Sequence, residues 1–333
     1  MSFPFGVDII VFFFVLSFVA SIINGGLGYG YSSISTPLAL LVVVSRILNP
    51  AFVLLEAVLN TAMLGFSGRK NIAAVTKRNL PIIGALVPGV FVGSLALSAI
   101  APIWIRLFVY VVLLPLILLQ AAGIRRPIRN EKAVGVPLGV GIGVLYSLTT
   151  ISGPPIALFW NNQGLKKAEF KASLAQIRIT ESYLTSVSYY FLGLFSATSL
   201  SLFTIIAPPV LIGIPMGIFI VRRVSVETFR RICMSFDAWI VGYGLTRTLI
   251  SVLGLAEVLA DGLWRVVIGI DLMLLYRFFK RKASEEDIRL ATPGLLPKDR
   301  FNFIPMFLRP RLSTSSRRRA RNRAAQSSGW AQS

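Results

Sequence analysis

The apolar residues of this chain fall into long, nearly unbroken runs separated by short polar connections. A helix that crosses hydrocarbon needs about 20 mostly apolar residues. Runs of that order at 5–23, 51–66, 80–100, 103–122, 133–150, 174–195, 200–221, 232–252 and 256–279 predict membrane-crossing helices. Two shorter runs, 37–44 and 154–160, are too short to cross alone. The first run lacks the basic start and small-residue cleavage site of a signal peptide, so it is read as part of the fold.

Lysine and arginine set the sidedness. Arg69, Lys70, Lys77 and Arg78 cluster in one connection, and Arg125, Arg126, Arg129 and Lys132 in a second. Lys166, Lys167 and Lys171 form a third, and Arg222, Arg223, Arg230 and Arg231 a fourth. Placing all four inside leaves only Arg46 on the opposite side. The stretch between the second and third clusters must then enter and return, turning near 151–155. The first half needs a similar hairpin, opening outward.

An internal echo accompanies this pattern. Glu56 and Glu181 are 125 residues apart, and the glycine pairs Gly89/Gly93 and Gly213/Gly217 are offset by 124. Arg106 and Arg230 each follow the second glycine by 13 residues. The expected fold is therefore an all-α polytopic membrane protein of two inverted repeats. Each repeat is a broken helical hairpin plus three transmembrane helices, with one extra C-terminal helix. Residues 1–122 form the first repeat, 123–132 a cytoplasmic linker and 133–252 the second repeat. Residues 253–279 are the extra helix, and 280–333 a basic tail expected to be disordered. Inverted repeats are a transporter architecture.

The two hairpins break at unusual sequence. Asn24, Gly25, Gly26, Gly28, Tyr29 and Gly30 lead into Tyr31, Ser32, Ser33 and then Thr36-Pro37. Glycine in a helix costs about 1 kcal/mol against alanine, and unwound backbone persists in a bilayer only inside protein or along a wet cavity. Thr36 and Pro37 read as helix cap and first helical residue. The second half answers with Thr149, Thr150, Ser152, Gly153, Pro154 and Pro155. Two short helices starting at mid-membrane would turn positive dipole ends and free N–H groups on an anion, with serine and threonine hydroxyls as further donors. The alternative is that glycine and proline here only permit close crossings and kinks, the role expected of Gly135, Gly139 and Gly143.

Composition agrees with a membrane protein: 55% of residues are hydrophobic and 14% charged, against about 25% charged in soluble domains. With no histidine and one cysteine, Cys233, the usual metal clusters, proton shuttles and nucleophilic pairs are lacking, so no enzyme, cofactor or metal is expected. Of the net +20, half comes from 14 basic and 4 acidic residues after position 276. Such a tail is expected on anionic lipid headgroups, with no nucleic-acid partner, and a homodimer is left open.

Ionisable groups within spans are functional candidates by default. Arg178 and Glu181 are three apart on one helix face, and read as a mutual pair or as an anion contact beside a proton carrier. Glu56, with Asn60 one turn on, is the other candidate proton carrier. Asp237 and Arg247 each need a partner on another helix. Asp261 and Arg265 have helical pair spacing, Asp271 is unaccounted for, and Arg106 and Arg230 read as snorkelling at the membrane edge.

The glycine-rich stretch ending in Pro37-Leu38 resembles the first signature of the TauE/SafE family of sulfite and organosulfonate exporters. The second signature is similar to Ser152–Phe159 with Phe170-Lys171-Ala172-Ser173, and Arg222–Ser225 with Phe229–Arg231 resembles the family's last basic loop. The likeness spans roughly 8 to 252. The chain departs from the pattern in the bulky Tyr29 and Tyr31 and in the single Gly153. The resemblance implies an inner-membrane secondary transporter exporting a small anion, sulfite or a short organosulfonate, with the N-terminus outside and the tail inside. An anion channel or a non-transporting assembly subunit are the alternatives.

Overall fold

In the computed structural model, residues 5–66, 69–122, 130–163, 165, 167–223 and 226–291 are described. Among them the chain forms eleven helices and no strand. These are α1 (Val7–Leu27), α2 (Tyr31–Ala39), α3 (Ser45–Phe66), α4 (Arg69–Ala99), α5 (Pro102–Ala121) and α6 (Glu131–Thr149). They continue with α7 (Gly153–Asn162), α8 (Lys167–Phe191), α9 (Ala197–Arg223), α10 (Val226–Leu253) and α11 (Glu257–Ala291). Each apolar run has its helix except 37–44, of which only residues 37–39 are helical, at the end of α2. Arg125, Arg126, Arg129, Lys166 and the tail from 292 lie outside the described residues.

Five helices, α1, α3, α4, α5 and α9, are long and apolar enough to cross a membrane. α6 contributes a shorter apolar stretch, Ala133–Thr149. α8 and α10 are as long, but carry buried charged residues. Outward faces bear Val11, Val15, Phe91, Val92, Leu211 and Ile212, all exposed, the surface that lipid covers. Most of the expected basic connections prove to be helix ends: Arg69 to Arg78 belong to α4, Lys167 and Lys171 to α8, and Arg230 and Arg231 to α10.

The halves interlock. α1 lies along α9, α4 along α6, and α3 meets α8 at the centre. Exchanging the halves carries α1·α9 onto α6·α4, α3·α9 onto α8·α4 and α2·α10 onto α7·α5. The glycine pairs make the long contacts. A Cβ on Gly89 would sit 2.3 Å from the Val140 carbonyl oxygen, one on Gly139 2.4 Å from that of Ile82, and one on Gly143 2.7 Å from that of Leu86. On the other side, a Cβ on Gly217 would sit 1.9 Å from the Ile22 oxygen, and one on Gly25 2.3 Å from that of Ile214. Backbone against backbone at that range admits only glycine.

This packing corrects the first break. Asn24, Gly25 and Gly26 are helical residues of α1, not unwound chain. Closure of α9 on Gly25 and Gly26 outweighs the glycine cost, as tertiary context commonly does. The interruption is confined to Gly28–Gly30, where Gly28 (φ 82°) and Gly30 (φ 108°) take left-handed conformations. Thr36 and Pro37 do not open the short helix either: α2 begins at Tyr31 with Gly30 as its cap, and Pro37 is internal. The second break follows expectation, with Ser152 at the cap of α7 and Pro154 in its first turn.

α11 is held by buried polar contacts. Arg231 Nη2 donates to Asp271 Oδ1 at 2.9 Å and to the Asp271 carbonyl at 3.1 Å, and Trp264 Nε1 donates to the Trp239 carbonyl. Asp261 pairs with Arg247 at 3.8 Å and not with Arg265; α10 and α11 run close enough for the cross-helix partner to prevail over the same-helix one.

Candidate functional site

The central α3·α8 contact puts three ionisable residues in one buried cluster. Arg178 is 3% exposed, and Glu56 and Glu181 are wholly buried. Arg178 Nη2 donates to Glu56 Oε1 at 2.7 Å. Its Nε stands 3.9 Å from Glu181 Oε1, so the expected mutual pair on α8 is the weaker of two contacts. The closer partner comes from the other half of the chain.

Each carboxylate also accepts from a serine at the start of a short helix. Ser32 Oγ, in the first turn of α2, donates to Glu56 Oε1. Ser152 Oγ, at the cap of α7, donates to Glu181 Oε1. The same device thus occurs once per half: the start of the short helix is tied to the carboxylate of the following long helix. Arg178 Nη1 reaches Asn24 Oδ1 at 3.5 Å. Ser182 Oγ donates to the Arg178 carbonyl and accepts from Asn60 Nδ2. That leaves the Tyr146 hydroxyl as donor across its 2.9 Å contact with Ser182. Tyr146 and Ser182 carried no signal in the sequence beyond Ser182 standing next to Glu181.

The two breaks touch. Thr150 Oγ1 donates to the Thr149 carbonyl, so Thr36 Oγ1 is the donor in their 3.1 Å contact. Thr149 Oγ1 donates to the Leu145 carbonyl. Thr150 itself has φ 60°, a left-handed conformation uncommon for a β-branched residue. A Cβ on Gly153 would be 3.0 Å from the Tyr29 ring, so the single glycine makes room for the unusual tyrosine. Tyr31 instead packs edge-on to Phe52 and donates to Ser17 Oγ, whose own proton goes to the Ile206 carbonyl.

The caps Gly30 and Ser152 provide no side-chain bond to the first turns of α2 and α7. Those turns flank a cavity of about 20 Å³ that also meets Tyr29, Ser33, Gln120 and Pro154. Arg230, half-buried near the start of α10, lines it too. Thus Asn24, Ser32, Ser152, Arg178, Glu56 and Glu181 form one network, and Thr36, Thr149 and Thr150 adjoin it. Tyr29, Gly30, Ser33 and Pro154 line the cavity, Gly153 packs on the Tyr29 ring, and Gly28 has the Met63 and Lys171 side chains nearest it. Gly25 and Gly26 serve the α1·α9 contact, and the Pro37 carbonyl accepts from the Tyr110 hydroxyl. Pro155 follows Pro154 in the first turn of α7.

Four buried polar atoms of this network have no hydrogen-bond partner: Asn24 Nδ2, Glu56 Oε2, Arg178 Nε and Glu181 Oε2. Such atoms are costly unless function uses them. Two interrupted segments meeting around a buried arginine and two carboxylates thus lie at the heart of an all-α polytopic membrane protein. The TauE/SafE family model, described as sulfite exporter, matches residues 13–243. The chain belongs to that family, whose members are integral membrane transporters. No curated protein and no solved structure matches it.

Proposed function

We propose that the chain is a secondary transporter that exports a small anion, sulfite or a short organosulfonate, by alternating access. What carries the reading is the paired arrangement around Arg178: Ser32 to Glu56 from one half, Ser152 to Glu181 from the other, and one guanidinium between them. With all three groups ionised the cluster would be one charge negative, which disfavours an incoming anion. An anion that takes Arg178 displaces Glu56, and a carboxylate left without its cation in so buried a place takes up a proton. Glu56 and Glu181 are therefore the groups through which substrate binding is linked to protonation. Because each serine sits on a short helix, releasing a carboxylate also frees the start of α2 or α7 to move.

The two halves, 1–122 and 133–252, act as inverted repeats that move against one another, the symmetry of their packing supporting that role. The basic helix ends and the tail then face the cytoplasm, and the N-terminus faces outward, in an inner membrane. The test is uptake of sulfite, sulfoacetate, taurine, sulfate and chloride into proteoliposomes by wild type and Arg178→Ala. Saturable, selective uptake that disappears in the variant is expected. Absence of flux of every anion with folded wild-type protein overturns the reading.

A further inference from the structure

Four acids are buried among the described residues: Glu56, Glu181, Asp237 and Asp271. Three have cations, Arg178 for the glutamates and Arg231 for Asp271. Asp237, on α10, has no ion pair, and its Oδ1 is buried without a hydrogen-bond partner. An ionised carboxylate in that situation is far costlier than a neutral acid. The neutral acid is the cheaper form of Asp237 in this conformation.

Its surroundings give that proton somewhere to go. Asp237 lines the cavity that meets Gly30 at the start of α2 and Pro154 at the start of α7. At about 20 Å³ the cavity has room for one water. Arg230 lines it two helical turns away on the same face of α10, about 10 Å along the axis. The titratable groups sharing the cavity are Tyr29, whose buried hydroxyl faces Arg230, and Cys233. α1, α2, α5 and α7 bring no charge to it, and the buried acid of α11, Asp271, is held by Arg231. Any displacement of α2 or α7 changes the cavity walls and, by admitting water, lets Asp237 ionise opposite Arg230.

We propose that Asp237 is a proton-binding residue of the transport cycle, protonated in the conformation described and discharging through the Arg230 end of the cavity when the short helices move. The proposal rests on the reading of the chain as an anion transporter and adds a proton site apart from the Arg178 cluster.

Two measurements on the full chain in liposomes test it. Infrared difference spectroscopy across a pH titration should show a protonated-carboxyl C=O band at neutral pH that Asp237→Asn removes. In flux measurements with radiolabelled sulfite, Asp237→Asn should retain exchange at equal pH and lose accumulation driven by an imposed pH gradient. Asparagine copies the shape of the neutral acid, so the variant should fold with wild-type thermal stability. A variant that does not fold, a band that is absent from wild type or survives in the variant, or unchanged gradient-driven accumulation overturns the proposal. If wild type moves no sulfite, the transporter reading fails by itself, and the infrared band still decides whether Asp237 holds a proton.

Discussion

Gly139 and Gly141, two residues apart on α6, should respond oppositely to alanine. A Cβ at 139 would lie 2.4 Å from the Ile82 carbonyl oxygen and 2.8 Å from the Ala85 Cβ. Carbon and oxygen approach comfortably only to about 3.3 Å, so α4 and α6 would have to part by about 1 Å along a contact that runs most of their length. The obstructing atom is backbone and cannot rotate away. Overpacking of this kind costs about 1–3 kcal/mol, and the rigid obstruction places Gly139→Ala near the upper end. Alanine returns roughly 0.5–1 kcal/mol of helix propensity, for a net loss of about 2 kcal/mol. At Gly141 nothing lies within 4 Å of the added carbon, so only the gain of about 0.5–1 kcal/mol remains. Equilibrium unfolding in mixed micelles, followed by far-ultraviolet circular dichroism, should separate the two variants by about 3 kcal/mol. Equal stabilities, or Gly139→Ala the more stable, would refute the close-packed account of α4 and α6.

Three further outcomes follow from the buried contacts. Arg178→Met should destabilise by about 3–5 kcal/mol because it leaves Glu56 and Glu181 buried without their cation; adding Glu56→Gln and Glu181→Gln should restore much of that loss in the same unfolding assay, and additive losses would rule out coupling. Asp271→Ala leaves Arg231 buried without its anion, so α11 should become sensitive to protease while the remaining helices resist; unchanged digestion would show the pair to be idle. Thr150→Gly relieves a left-handed threonine and should stabilise by up to about 1 kcal/mol despite losing the Thr36 contact, whereas Thr150→Val should destabilise, both read as shifts in thermal midpoint.

The number and order of helices were legible because lipid solvation demands apolar runs of a set length. The break points were less so. Asn24–Gly30 contains four glycines, but whether a glycine unwinds a helix or admits a neighbour depends on what crosses it. Ile214 and Gly217 of α9, nearly two hundred residues away, decide that for Gly25 and Gly26. Pro37 misled for a related reason, since the backbone needed to start α2 was already provided by Gly30 in its left-handed turn. Ion pairs followed the same rule. Spacing on one helix suggested Arg178 with Glu181 and Asp261 with Arg265, whereas the closer partners were Glu56 and Arg247 on other helices. Asp271 had no local partner to find, and its cation sat among arginines that charge counting had assigned to a loop. Two of the hydroxyls expected to face an anion instead meet carboxylates, Ser32 donating to Glu56 and Ser152 to Glu181.

The cross-packing of the halves bears on biosynthesis. α1 finds its glycine-lined partner in α9, and α4 finds its own in α6. When the ribosome has delivered the first five helices to the membrane, neither long contact can yet exist. The early helices must wait in lipid, with Gly25, Gly89 and Gly93 facing acyl chains, until the later ones emerge. The first 122 residues are thus half of a clasp, which predicts that the two halves, synthesised as separate polypeptides, assemble only when made together.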